Sequence, residues 1–223
     1  MKIQVGIAKL HEETYLAIAL IDKILVKNNI NRNVKISYDF MTESAGYHYI
    51  AHTIDTIYIN PDNCKSLKTY DIDDGGKENL HYPAYTLDNT IFGTVLHEFS
   101  HLLHCQIFKT MSNDYLKEFP NKRLFLNWYS NNEIDDELAN IMVLYITNPY
   151  LLKLISNQHF KYMKRYFKSP VSATKYRCGE LYKRFPIHIK NDLKNRWGII
   201  YNFDTNDFEK HKVKTEIKER TEV

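Results

Sequence analysis

The sequence predicts an α+β fold: a small twisted sheet from residues 1–60, one central helix, and a mainly helical C-terminal half. Three observations carry this. Apolar residues alternate in short runs at Ile3, Val5 and Ile7, at Val34, Ile36, Tyr38 and Phe40, and again across 54–60. A two-residue period marks strands that bury one face. Between the first two runs, Leu16, Ala17, Leu20, Ile21, Ile24 and Leu25 recur with the period of a helix over 12–27. After residue 90 the helical period dominates, over 94–108 and then 132–147, where Ile134, Leu138, Ile141, Met142 and Tyr145 share a side.

Punctuation between these elements is equally readable. Pro61 stops the third strand, and residues 61–87, with Asp-Asp-Gly-Gly and Tyr-Pro, read as loop and turn. Asp88 or Asn89 is placed to cap the helix that follows. Residues 109–130 read as a loop with a short helix, and Pro149, Pro170 and Pro186 separate later helices near 150–168 and 172–184. From residue 205 charges alternate without apolar periodicity, as in a frayed helix or charged tail. The expected organisation is a domain over 1–204, with a sheet subdomain at 1–108 and a helical subdomain at 109–204, followed by a tail at 205–223.

Composition narrows the class. At 223 residues and 43% apolar, the chain can bury a sizeable core. Cys64, Cys105 and Cys178 are an odd number without a Cys-x-x-Cys pair, which argues against a disulfide framework and for reduced thiols. Glu12 and Glu13 interrupt the N-terminal region, and the apolar run Tyr15–Ile21 is too short to span a bilayer. A cytoplasmic protein without a membrane segment is expected, with delivery into another cell as an effector a variant of that reading. Charge is uneven. Residues 1–150 carry 13 Lys and Arg against 19 Asp and Glu, whereas 151–200 carry 12 against 2. That basic block, with Phe160, Tyr162, Tyr166 and Phe167 among Lys161, Lys164, Arg165 and Lys168, reads either as a solvated helix face over a core or as a surface for nucleic acid or an acidic partner.

The most informative string is His-Glu-Phe-Ser-His at 97–101. On a helix, His97 and His101 project from one face a turn apart and can grip one Zn²⁺, while Glu98 can take a proton from a water on the metal. Val95, Leu96, Phe99, Leu102, Leu103, Ile107 and Phe108 surround them, as in a half-buried helix. A catalytic zinc site needs a third protein ligand. His104 is on the same helix and is expected to pack or to support a ligand. The Gly and third His of the longer HExxHxxGxxH pattern are absent, since 104 is His and 107 is Ile. Glu133, Asp135, Asp136 and Glu137, which open the helix at 132–147, complement its dipole and include candidate ligands among which spacing cannot choose.

The pairing of TVLHEFSHLLH with this acidic helix resembles the gluzincin-type zinc metallopeptidases. Residues 129–149 are similar to lethal-factor-like toxin peptidases and to metallopeptidases that cleave repressors of mobile elements, whose second helix carries an acidic-x-x-Ala-Asn pattern. The likeness covers roughly residues 88–155. It implies a zincin-like fold and places the ligand three residues before Ala139, at Asp136. It also places a residue orienting a ligand histidine at Asn140, and a tyrosine seven residues before the ligand at Tyr129, where it donates to the oxyanion. These families have Glu where this chain has Asp136, so the helix must approach by roughly another ångström, and Glu133 and Glu137 stay open as alternatives. The resemblance implies a zinc-dependent endopeptidase acting on a protein or peptide, with Glu98 as general base and strand 54–60 as the sheet edge that lines the cleft. The competing reading is a non-catalytic binding protein that uses the basic 151–200 region.

Overall fold

A computed structural model describes residues 4–5, 11–41, 43–44, 46–49, 55–64, 90–120, 122–126, 134–149, 152–153, 156–170, 197–202 and 207–212. Helix and strand are mixed, as an α+β chain requires. Strands β1 (Gln4–Val5), β2 (Val34–Tyr38), β3 (Gly46–Tyr49) and β4 (Asp55–Ile59) form one sheet in the order β1-β2-β4-β3. The first three neighbours are parallel and β3 runs antiparallel to β4. Helix α1 (Glu12–Lys27) makes the crossover from β1 to β2 and covers the sheet with Ala17, Ile21, Ile24 and Leu25. The Tyr38 hydroxyl on β2 accepts the His11 N–H at 2.8 Å, which satisfies one of the unpaired donors at the start of α1.

Helix α2 (Ile91–Leu102) lies in the middle of the molecule, against α1, β3, β4 and α4 (Ile134–Thr147). All of its residues except His101 are buried, so it is enclosed on every side rather than half-buried. Thr90 caps it, accepting the Gly93 N–H at 3.0 Å, whereas Asp88 and Asn89 lie outside the described residues. The helix expected to run to 108 changes its hydrogen-bond spacing at Leu103. Residues Leu103–Ile107 wind as a π-helical turn, with the Phe108 N–H bonded to the Leu103 carbonyl at 2.8 Å. The short helix expected after it is α3 (Met111–Glu118), and α5 (Asn157–Tyr166) follows α4.

Two expectations are corrected. Strand 54–60 is not a sheet edge, because β4 is paired on both sides, by β2 and β3; the edge on that side is β3. Residues 207–212, expected as part of a charged tail, form β7 (Asp207–Lys212), which pairs with β6 (Trp197–Asn202) and through it with β5 (Lys122–Phe125) in an antiparallel sheet. The C-terminal half therefore contains a sheet as well as helices. β7 is its outer strand, where charged residues are tolerated and even favoured, so its alternating charges hide a strand signal. The helix expected at 172–184 lies outside the described residues.

Candidate metal centre

His97 and His101 stand one turn apart on α2, with ring centroids 4.7 Å from each other. Their Nε2 atoms are 3.0 Å apart. The first turn of α4 brings Asp136 Oδ1 to 3.1 Å from His101 Nε2 and 3.3 Å from His97 Nε2. This group can hold a metal ion. Both imidazoles are nearly covered, while the Asp136 side chain is 28% exposed, which leaves the cluster open to solvent on the α4 side. Hydrogen bonding from His101, and then from His97, holds the Asp136 carboxyl well below the usual carboxylate range, so it is an anion throughout the neutral region.

The donor set suits a single ion. At ligand distances of about 2.0–2.1 Å, neighbouring donors lie about 3 Å apart, close to the three separations seen. Asp136 reaches this position in spite of its short side chain because α4 packs directly on α2, burying Leu138 through Thr147. Asn140, one turn on, faces His97: its Oδ1 lies 2.9 Å from His97 Nδ1. An amide oxygen only accepts, so Nδ1 carries a proton and Nε2 is the nitrogen turned to the cluster. Asn140 is fully buried, and its Nδ2 has no hydrogen-bond partner among the described residues.

The other candidates separate clearly. Glu98 is buried beside His97 on α2. Glu137 is not a member of the cluster: it is fully buried on the far side of α4, where its Oε1 accepts the Tyr115 hydroxyl and, at 3.0 Å, the Leu124 N–H. Consecutive helical residues point about 100° apart, so Glu137 cannot face α2 while Asp136 does. Glu133 and Tyr129 lie outside the described residues. His104 Nε2 is 3.1 Å from His101 Nδ1, and His104 Nδ1 is 3.3 Å from Ser112 Oγ, which in turn donates to Asp135 Oδ1 at 3.1 Å. Ser112 had no signal in the sequence. It stands eight residues beyond His104, across a π turn that helical periodicity does not anticipate.

The aromatic residues of the basic block belong to the core. Phe160, Tyr162 and Phe167 are buried, and half-buried Tyr166 donates its hydroxyl to Asp114 at 2.8 Å. Lys161, Lys164, Arg165 and Lys168 are exposed, and the Arg165 guanidinium lies over the Tyr162 ring, 4.9 Å from its centroid. No helix among the described residues is long and apolar enough to cross a membrane. No family model, curated protein or solved structure matches this chain.

Proposed function

We propose that this chain is a zinc-dependent endopeptidase whose ion is held by His97, His101 and Asp136, with Glu98 as general base. The observation that carries the reading is the convergence of two histidine Nε2 atoms and one carboxylate oxygen within 3.3 Å, with Glu98 next to one of those histidines on a buried helix. Two imidazoles and a carboxylate also suit non-haem Fe(II), but a carboxylate immediately following the first ligand serves hydrolysis. Zinc, when bound, supplies Lewis-acid activation, lowering the pKa of water to about 7 and polarising a peptide carbonyl.

Around that ion the chain's own groups have distinct tasks. Glu98 takes the proton of the attacking water and delivers it to the leaving amine. Asn140 keeps His97 in the tautomer that can bind a cation. Tyr129, in register seven residues before Asp136, is assigned the oxyanion hydrogen bond by the resemblance alone. The substrate is an extended protein segment. β3 packs against α2 and is bonded on one side only among the described strands, so its outer edge suits main-chain pairing with such a segment.

Elemental analysis of the purified protein tests the reading, with Asp136→Ala and Glu133→Ala measured alongside. About one zinc per chain is expected in the wild type and in Glu133→Ala, with loss in Asp136→Ala. A wild type that takes up no zinc after metal addition sinks the reading. The binding protein would then stand in its place, to be checked by the salt dependence of nucleic-acid binding to the exposed lysines and Arg165.

A further inference from the structure

We propose that His104, Ser112 and Asp135 form a hydrogen-bonded relay that holds a proton on His101 Nδ1, so that Nε2 is the nitrogen left to bind a metal ion. The relay's consequence for metal affinity rests on the zinc reading above; the Nδ1 proton itself does not.

The direction of every bond follows from the far end. Asp135 ends the chain as a carboxylate whose side chain is 58% exposed, and an ionised carboxylate accepts only. Ser112 gives its one hydroxyl proton to Asp135 Oδ1, so its oxygen can only accept from His104 Nδ1. His104 therefore carries its proton on Nδ1, and its Nε2 is an acceptor for the Nδ1–H of His101 at 3.1 Å. With Nδ1–H committed to His104, Nε2 is the nitrogen that faces Asp136 and His97, where it donates to the Asp136 carboxylate until a metal ion takes the place of that proton. Asn140 does the same for His97 in one step; for His101 the chain needs three residues.

Packing does not explain this arrangement. His104 is 1% exposed, and a buried imidazole must satisfy both nitrogens. It does so with a ligand candidate on one side and a hydroxyl leading to solvent on the other. Its Nδ1 also lies 3.4 Å from Cys105 Sγ and 3.8 Å from Asp135 Oδ1, neither of which supplies a competing acceptor at closer range than Ser112. His104 sits on the π-helical turn, an irregularity that concentrates at functional sites. The relay joins α2, α3 and α4. Its end, Asp135, is the immediate neighbour of Asp136, so the same turn of α4 anchors both the relay and the cluster.

The test combines ¹⁵N imidazole shifts of the metal-free protein with zinc affinity measured by chelator competition. In the wild type, His101 is expected to be protonated on Nδ1. His104→Phe, which removes the acceptor, should weaken zinc binding about 10- to 100-fold. Ser112→Ala and Asp135→Asn, at less buried positions, should lower the Nδ1–H population of His101 and weaken zinc at least about threefold, while Ser112→Thr at the relay's hydroxyl restores both. Asp135→Asn is the sharpest variant, since an amide can donate and so reverse the whole chain. If His104→Phe does not fold, the Ser112 and Asp135 variants decide. A wild-type His101 without a proton on Nδ1, or Nδ1 protonation and affinity unchanged in Ser112→Ala and Asp135→Asn, overturns the relay. A wild type that binds no zinc, yet whose His101 Nδ1 protonation shifts in these variants, sinks the metal reading and leaves the relay standing.

Discussion

Glu98 and His97 are neighbours on the most enclosed helix of the fold, and burial separates their tasks. His97 is held by Asn140 and aimed at Asp136, whereas Glu98 contributes a carboxylate with no place in the cluster itself. Glu98→Gln should therefore keep the zinc content of the wild type while lowering peptide hydrolysis about 10²- to 10⁴-fold, the usual contribution of a positioned general base. Zinc analysis and turnover of an unstructured protein substrate on the same sample check this; full activity in the variant refutes the assigned role. At this scale the histidine pair was legible because a helix places residues four apart on one face whatever surrounds it. Asp136 was reachable only through its register with Ala139, since Asp135, Asp136 and Glu137 differ in where each points around α4. The partners of His104 were not legible at all, because Ser112 arrives from a different helix.

Between elements, one buried carboxylate acts as the knot. Glu137 on α4 accepts from Tyr115 on α3 and from the Leu124 N–H on β5, and Tyr115 also meets His159 of α5 at 3.1 Å. Removing the carboxylate leaves a buried N–H and a buried hydroxyl without their acceptor. Glu137→Ala should retain about one zinc per chain but lose about 2–4 kcal/mol in urea unfolding, whereas a ligand would show the opposite pattern. A second element-scale constraint is Gly46, which opens β3. A Cβ there would lie 2.7 Å from Thr94 Cγ2 on α2 and 3.0 Å from Ile59 Cδ1 on β4. Gly46→Ala should cost about 1–3 kcal/mol by prising the edge strand from α2, and a variant as stable as wild type in the same titration contradicts that packing. β2 could be read from alternation because Val34 and Ile36 are buried while Lys35 and Ser37 between them are half-buried; β4 is buried on both faces, and Pro61 marks its end. β3 and β7 each pair as the outer strand with a neighbour close in sequence, and an outer strand tolerates polar residues that blur its signal.

Across the whole molecule, the helical half is closed by a histidine that must stay neutral. His159 is buried, stacks on Phe119 at 4.1 Å, and lies 2.7 Å from Ser156 Oγ and 3.1 Å from the Tyr115 hydroxyl. Tyr115 gives its proton to Glu137, so His159 Nε2–H donates to Tyr115 and its Nδ1 accepts from Ser156. Burial disfavours the charged imidazole and pushes the His159 pKa down to about 3. The unfolded chain, with an ordinary histidine near 6.5, takes up that proton as the pH falls through 6.5, while the native state resists until about 3. Unfolding thus gains protons over this window, so stability is full above pH 6.5 and is lost progressively toward pH 3. The loss from this group is on the order of a few kcal/mol. His159→Phe keeps the stacking and removes the titration. It should be less stable than wild type at pH 7, yet its unfolding free energy should fall less between pH 7 and pH 4. Urea unfolding of both proteins with a chelator present, so that metal release does not enter, measures the difference. Parallel pH profiles would mean that another group sets the acid stability of this half, and that the Ser156–His159–Tyr115–Glu137 chain tolerates a charged imidazole.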